Sequence, residues 1–531
     1  MVRSALSALV AVAAVGCYER GGPSPSDHAE AAAPPPAAKV PEAAPALAGA
    51  PDPDATIRIA LEAEPATLNP FVAADDVSRR LLRDVYEGLL CPGARPADPP
   101  IACLAARWTV SADGRVWRFA LRPGVRFHDG APVTAADAAF SFSLLVGPAR
   151  SYLAAELDDL RSATADGDDV VLTFAAARPV RAEAIAQVPV VPRRAFASVD
   201  VARAGALEEA ALGRAPVGTG PLRFVTWRRG EGIELIRWDG YWGAPAAAAR
   251  VVYRVVADRA EALRRLGAGA LDVVYQVGAD DAVRFSDEHP GVVRFRYLLP
   301  AYLAAVYNAR RPALAAADVR RGLTAVLDRA TVRDVVLGGA AAITGPFPPG
   351  DPGIDPEVFE VPFDPALARR LVPGKPRLTV LVPQGSRASA RIADIWAADA
   401  KEVATLVVEE VPFADLVARL REGRFEIAIT SLTTGPELDL WPRFHSKAPP
   451  DEAWSGLRDP ALDRRLDELR AALDPARRAF LRRAVHRRIA ELVPMAFIAA
   501  DARQGLAAAG VGGLGAGDAG PPRARDLWRK R

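Results

Sequence analysis

The sequence predicts a mixed α/β or α+β protein, on three observations. Short alternating segments such as Thr56–Leu61 and Arg115–Arg122 read as half-buried strands. Apolar residues at helical spacing mark helices between them, as in Asp76–Leu90 and Ala135–Leu145. The two patterns interleave along the whole body instead of separating into blocks. The chain has 531 residues, 50% apolar and 25% charged. That is room for about two or three domains with sizeable cores.

The first elements are an address and a spacer. Residues 1–16 carry one basic residue, Arg3, then an apolar run from Ala5 to Val15, which is the pattern of a secretory signal peptide. The run is shorter than the ~20 residues that span a bilayer. Ala14-Val15-Gly16-Cys17 resembles a bacterial lipobox, in which Cys17 takes the lipid and becomes the first mature residue; the alternative is an ordinary cleaved signal with a spare cysteine. Residues 17–54 form a tether. Of the 37 residues in Tyr18–Asp54, 20 are Pro or Ala, with too few large apolar side chains to offset the entropy of ordering them.

In the body, Thr56–Leu61 alternates as a strand, and Val77, Leu81, Leu82, Val85 and Leu89 form a helical stripe. Cys91 and Cys103 flank a Pro/Gly-rich turn. Outside the cytoplasm they either form a disulfide or remain as two buried thiols. Trp117, Phe119 and Leu121 share one strand face, with Arg118 and Arg122 on the other. Pro123-Gly124 and Asp129-Gly130 flank a short expected strand, Val125–His128. Thr134 with Asp137 is a variant capping box before the helix Ala135–Leu145. Strands are expected at Val170–Phe174, Phe224–Trp227, Ile233–Arg237 and Arg250–Val256, and a helix at Arg259–Leu266. Asp474-Pro475 opens a helix with Leu481, Val485, Ile489 and Leu492 on one face. Its six arginines read as a solvated, salt-bridged surface.

Composition and motifs narrow the chemistry. Lys plus Arg is 67 against 65 Asp plus Glu, a net charge of +2, which argues against a nucleic-acid partner held by bulk charge. Three Cys and five His exclude a zinc-finger array or an iron–sulfur protein. There is no G-x-S-x-G, H-E-x-x-H, P-loop or C-x-x-C, so no enzyme, cofactor or metal site is expected. Val217-Gly-Thr-Gly-Pro-Leu222 has two glycines at phosphate-loop spacing but lacks the third, and Pro221 stands at the helix-opening position. A tight backbone turn fits it better.

Several segments together resemble one family. They are Pro65–Pro70, Val85-Tyr-Glu-Gly-Leu-Leu90, Leu104–Trp108, Ser111–Gly114, and Leu121-Arg-Pro-Gly-Val-Arg-Phe-His-Asp-Gly130 with Pro132–Asp137. Val217–Pro221, Tyr241-Trp242, Gly269–Asp272, Tyr307-Asn308, Asp318–Arg320, Ala325–Arg329 and Asp459–Leu466 follow in order. The set is similar to the solute-binding protein family 5 of bacterial ABC importers, the oligopeptide, dipeptide and nickel receptors.

The resemblance implies a two-lobed periplasmic-binding-protein fold, type II, in its large variant with an extra domain. Residues 55–76, 190–280 and 489–531 are expected in lobe I. Residues 77–189 form an accessory domain packed on it, and 281–488 form lobe II. It further implies a monomeric receptor of the periplasm or cell envelope, held to the membrane by its lipid. The receptor captures a peptide or peptide-like solute between the lobes and delivers it to an ABC permease pair with its ATPases. The alternatives are a nickel chelate, haem, an oligosaccharide or an opine as cargo, or a sensory or adhesion lipoprotein.

In the peptide receptors an Asp in a W-x-x-D-Y-P-D-P-like segment meets the ligand's amino terminus. Here Asp439 matches best, with Glu437 as its neighbour, and Leu432 stands where an aromatic is expected. Backbone pairing with the ligand is expected from Ile429–Thr433 and Leu61–Glu64. Leu432, Thr433, Thr434, Glu62 and Glu64 are therefore the remaining candidate ligand residues.

Overall fold

The computed structural model describes residues 50–93, 98–147, 151–155, 157–177, 181–434, 438–472, 474–515 and 520–531. The expected signal at 1–16, Cys17, the tether up to residue 49 and Glu437 lie outside the described residues.

The chain enters through β1 (Thr56–Leu61) and α1 (Asp76–Leu82), the latter capped by Asp75, whose carboxylate accepts from the Ser78 N–H. The apolar stripe predicts a helix as far as Leu90, but α1 stops at Leu82. The reason is competition for carbonyls. Those of Asp84 and Val85 accept from Leu222 and Gly220 of a distant segment, so none is left to continue the helix.

Two short strands, β2 (Leu90–Cys91) and β3 (Ile101–Ala102), pair next. Then come β4 (Ala105–Val110), β5 (Val116–Leu121), α2 (Ala135–Ser143), β6 (Leu160–Asp166), β7 (Asp169–Phe174) and α3 (Arg181–Ile185). The strands form an antiparallel sheet in the order β4-β5-β7-β6. Trp117, Phe119, Val170 and Leu172 point into the core while Arg118 stays outside, the period-two pattern of a one-sided sheet. The capping box at α2 forms, with Thr134 Oγ1 accepting from the Asp137 N–H and Asp137 accepting from the Thr134 N–H. The expected strand Val125–His128 does not. Its only ladder contact is the Arg126–Pro132 bridge, because the His128 N–H turns away to donate to the Gly218 carbonyl.

The first half is completed by β8 (Leu222–Arg228), β9 (Gly232–Arg237), β10 (Arg250–Val255), α4 (Arg259–Gly267), β11 (Val273–Val277) and α5 (Ala279–Glu288). The second half begins with β12 (Val293–Tyr307), α6 (Ala317–Ala325), α7 (Arg329–Thr331), α8 (Pro365–Leu371), β13 (Arg377–Pro383), α9 (Arg387–Ala400) and β14 (Thr405–Val411). It continues with α10 (Phe413–Arg421), β15 (Ile427–Thr433), α11 (Trp441–Phe444), α12 (Pro460–Ala471), α13 (Pro475–Leu492) and β16 (Met495–Ala507), and the chain ends on β17 (Val511–Gly512) and β18 (Trp528–Arg529). On α13, Arg477, Arg482, Arg487 and Arg488 pair with Glu468, Asp351, Asp355 and Asp459, so the basic face is salt-bridged as expected.

Ten strands join in the order β14-β13-β15-β12-β16-β11-β1-β10-β9-β8. The two long central strands, β12 and β16, belong to both halves. β12 holds β15 through Ala301–Tyr307, and β16 holds β11 through Gln504–Ala507. Between these zones the β12–β16 register breaks from Leu298 to Tyr302, with Pro300 inside the break, where a residue without an N–H is tolerated.

The buried apolar clusters change over at the same place. One runs from Ile57 to Tyr297 and resumes at Ala507, and a smaller one joins Ala60, Val274, Phe285 and Leu506. The other two run from Leu298 to Ala500 and from Ala305 to Ala499. Along the chain the change-over falls between Tyr297 and Leu298 on β12 and between Ala500 and Leu506 on β16. This is a two-lobed α/β fold joined by a pair of strands.

Candidate functional site

The register break lies beside the end of β15, whose Leu432 and Thr433 pair with Tyr302 and Ala301 of β12. β15 is paired with β12 along its length, but its ladder to β13 stops at Ala428. Among the described residues, Ile429–Thr433 therefore present one strand edge with no ladder partner. An edge of this kind pairs with an extended guest chain. Side chains alternate along it. Ser431 and Thr433 are exposed, whereas Leu432 is 1% exposed and packs in the second-half core. The Thr434 N–H donates to the Pro300 carbonyl at 2.7 Å and ties this edge to the break. Ser431 Oγ donates to Asp501 Oδ2 at 2.5 Å, and Arg503 pairs with Asp501 at 3.2 Å.

The first-half side is built on Glu62 and Glu64. Glu64 is fully engaged, with Oε1 accepting from Trp227 Nε1 and Oε2 from the Gly230 N–H, both at 2.7 Å. It clamps the β8–β9 turn to the end of β1. Glu62 is different. Its Oε2 accepts from Arg80 Nη2 at 2.6 Å, its Oε1 has only a long 3.5 Å contact to Gln276 Nε2, and its side chain is 35% exposed. Burial works against the Arg80 charge, and Glu62 more than offsets it, so the guanidinium titrates above its usual value. That guanidinium lies 5.1 Å from the centre of the Tyr275 ring.

Arg80, Gln276, Tyr297, Asp501 and Arg503 escaped the sequence reading. Arg80 left a trace there: it lies three residues after Val77, on the buried face of α1, and an arginine in an apolar stripe signals a paired charge.

Asp439 sits at the start of α11, and both its oxygens are taken. Oδ1 accepts from the Trp441 N–H at 3.0 Å, and Oδ2 from Arg470 Nε and Nη2 at 2.9 and 2.5 Å. Arg470 in turn stacks over Trp441, 4.4 Å from the ring centre. The candidate acids thus fall into two classes: Glu64 and Asp439 are engaged by their own half, and Glu62 is partly open.

The Cys91 and Cys103 sulfurs are 2.10 Å apart. Glu87 lies within 4.8 Å of both, a set of donor types that suits a metal. Its carboxylate is already held by Thr219 Oγ1, Tyr241 OH and Trp242 Nε1 at 3.0, 2.6 and 2.9 Å, and the sulfurs are at bonding distance from each other. The arrangement is a buried acid held by three donors. Among the described residues no helix is long and apolar enough to cross a membrane.

Comparison with known proteins matches this architecture. Residues 100–448 match the family described as bacterial extracellular solute-binding proteins, family 5 Middle. Protein XP55 of Streptomyces lividans is 28% identical over 449 residues, covering 80% of this chain and 79% of that protein. A probable di/tripeptide-binding protein 5 of Pseudomonas aeruginosa is 25% identical over 488 residues, covering 82% and 89%. The crystal structure of the ABC transporter substrate-binding protein CtaP of Listeria monocytogenes superposes with a TM-score of 0.80 at 22% identity, over 90% of this chain and all of that one. The oligopeptide-binding protein AppA of Bacillus subtilis, in complex with a nonapeptide, does so with a TM-score of 0.69 at 19% identity, over 91% and 100%. With the two-strand crossing and the family match agreeing over most of the chain, this protein belongs to the bacterial extracellular solute-binding proteins of family 5, which bind solutes and are not enzymes.

Proposed function

We propose that this protein captures a peptide or peptide-like solute between its two halves and presents it to the permease pair of an ABC importer. ATP hydrolysis then takes place on other chains. The observation that carries the reading is the strand edge at Ile429–Thr433 that, among the described residues, has no ladder partner and exposes Ser431 and Thr433, beside the register break of the only two described strands that run through both cores. A ligand touching both halves favours the closed form because it makes both sets of contacts only there. The cargo named for the Pseudomonas relative and the nonapeptide held by AppA support a peptide.

Lobe I comprises β1 and β8–β11 with the C-terminal tail, residues 77–189 form the accessory domain packed on it, and lobe II is the second half. Cys17 carries the lipid that holds the protein to the cell envelope as a monomer, and Cys91 and Cys103 are bridged. Thr433, Thr434 and Glu62 face the cargo.

One observation favours a second reading. Asp439 is already neutralised by Arg470, so the ammonium contact of an ordinary peptide has lost its partner, which suits a non-peptide cargo. Calorimetry and small-angle scattering against a peptide library, with mass spectrometry of any co-purified molecule, test both. Binding with a smaller radius of gyration is the expected result. No binding and no compaction with any peptide or cell extract would overturn the import reading, and compaction by a non-peptide alone would select the second.

A further inference from the structure

Where the two halves meet, the first half carries a set of polar groups that are not satisfied. Arg80 Nε and the Tyr297 hydroxyl are buried and have no hydrogen-bond partner among the described residues. Tyr297 is 1% exposed and is the last residue of β12 assigned to the first-half core before the register break. Arg80, Arg503 and Glu62 are the charges close enough to act on its hydroxyl. A buried donor without an acceptor costs free energy unless something supplies one. Both orphans can donate, so each lacks an acceptor.

A bare anion would not suit the place, because Glu62 holds Arg80 from 2.6 Å away. An anion beside Arg80 also sits beside Glu62, and like charges that close repel. A ligand that brings its own positive charge removes the conflict. Glu62 has room to receive one, since its Oε1 has only the 3.5 Å contact from Gln276. Gln276 is itself unusual: it has φ +56, left-handed for a non-glycine residue, where the β11–β16 register shifts between Val274 and Val277. Such strain persists where the surroundings fix it, often at ligand clamps. It aims the amide at Glu62. Across the break, Asp501 and Arg503 again offer one charge of each sign.

From these groups we infer that Glu62, Arg80 and Tyr297 form a zwitterion-reading subsite, which takes a ligand head with an ammonium and a carboxylate close together, as in a free amino acid or a dipeptide. The carboxylate accepts from Arg80 Nε and the Tyr297 hydroxyl, and the ammonium donates to Glu62. The inference rests on the capture reading above and narrows its cargo. It also answers what replaces Asp439, whose carboxylate Arg470 occupies.

The test is a binding panel of free amino acids and dipeptides, each with its N-acetylated and C-amidated counterpart, measured by thermal shift and then calorimetry on the full chain. At least one zwitterion is expected to bind, with each blocked counterpart weaker by about tenfold or more. Tyr297→Phe is expected to weaken the zwitterion by about tenfold and to leave the ligand-free melting temperature nearly unchanged; Glu62→Gln is expected to weaken it by a similar factor and also to lower the melting temperature, because it leaves the buried Arg80 charge unpaired, with Arg80→Met as a harsher check. Failure of every zwitterion to bind, blocked forms that bind as well as free ones, or full affinity in Tyr297→Phe and Glu62→Gln would overturn the subsite. Compaction in scattering by a solute lacking either charge would overturn it while leaving the capture reading standing.

Discussion

Sequence marks both the Val217–Pro221 segment, as a tight backbone turn, and the stretch around Leu432 and Asp439, as a ligand segment, and the fold uses them in opposite ways. Gly218 and Gly220 lie flat against the chain at Asp84–Val85. A Cβ on Gly218 would stand 1.9 Å from the Val85 carbonyl oxygen, and one on Gly220 would stand 2.4 Å from that of Asp84. Thr219 between them reaches into the Glu87 cluster. Here the glycines let two backbones touch, and no phosphate is involved. Thr433 and Thr434 end a strand edge that has no ladder partner among the described residues, and Asp439 is held by a single ion pair at a partly exposed position. One region is fixed by backbone contact on every side. The other is held by side chains that can change partners. The first is where substitutions destroy the fold, and the second is where they retune what is bound.

Gly218→Ala attacks the fixed region most directly. The obstacle is backbone, which cannot rotate aside, so the substitution is expected to cost about 4 kcal/mol or more. Urea denaturation would measure it. A loss below about 1 kcal/mol would mean that the crossing is loose and that the contrast between the regions is wrong.

The same crossing contains a built-in pH dependence. His128 Nδ1 accepts from the Gly218 N–H at 3.3 Å, so its proton sits on Nε2, which donates to the Gly220 carbonyl at 2.9 Å. Burial, together with nearby Arg223, pulls its pKa down to about 4, despite the opposing pull of the Gly220 carbonyl and Asp129. The unfolded chain protonates this histidine near its usual value of about 6.5, so below that pH the unfolded state binds the extra proton. Stability is therefore fully present above about pH 6.5 and is lost as pH falls toward 4, by about 3 kcal/mol in all. Denaturation midpoints at pH 7.5 and 4.5 would show it, and His128→Gln should flatten the difference. An unchanged slope in that variant would assign the acid sensitivity elsewhere.

The same contrast explains what was legible in the sequence. Local rules governed β1, the capping box at α2 and the Asp474 cap of α13, and all three form where residue pattern alone places them. The early end of α1 and the missing strand at Val125–His128 share one cause. Both give backbone groups to the Val217–Leu222 segment, at least 90 residues away, and no window of sequence contains that pairing. The site divides in the same way. Glu62 and the Ile429–Thr433 edge lie on segments that the family resemblance marks. Tyr297 and Arg503 come together only because β12 and β16 are paired, and Arg80 joins them by packing from α1 onto Tyr275 of β11.

The smallest expected effect tests the other side of the comparison. Asp439→Asn keeps an oxygen for the Trp441 N–H and removes the charge facing Arg470. The pair is partly exposed, 26% on Asp439 and 38% on Arg470, so stability should change by no more than about 1 kcal/mol. Affinity for the cargo should stay within about twofold, since a carboxylate already paired within its own half has no charge left for an ammonium. A drop of tenfold or more would mean that Arg470 releases Asp439 when ligand arrives. The acid that the resemblance assigns to the ligand terminus would then serve it after all, and Glu62 would share the ammonium or lose it. Measuring Asp439→Asn and Glu62→Gln on the same ligand therefore decides which half of the protein reads the positive charge.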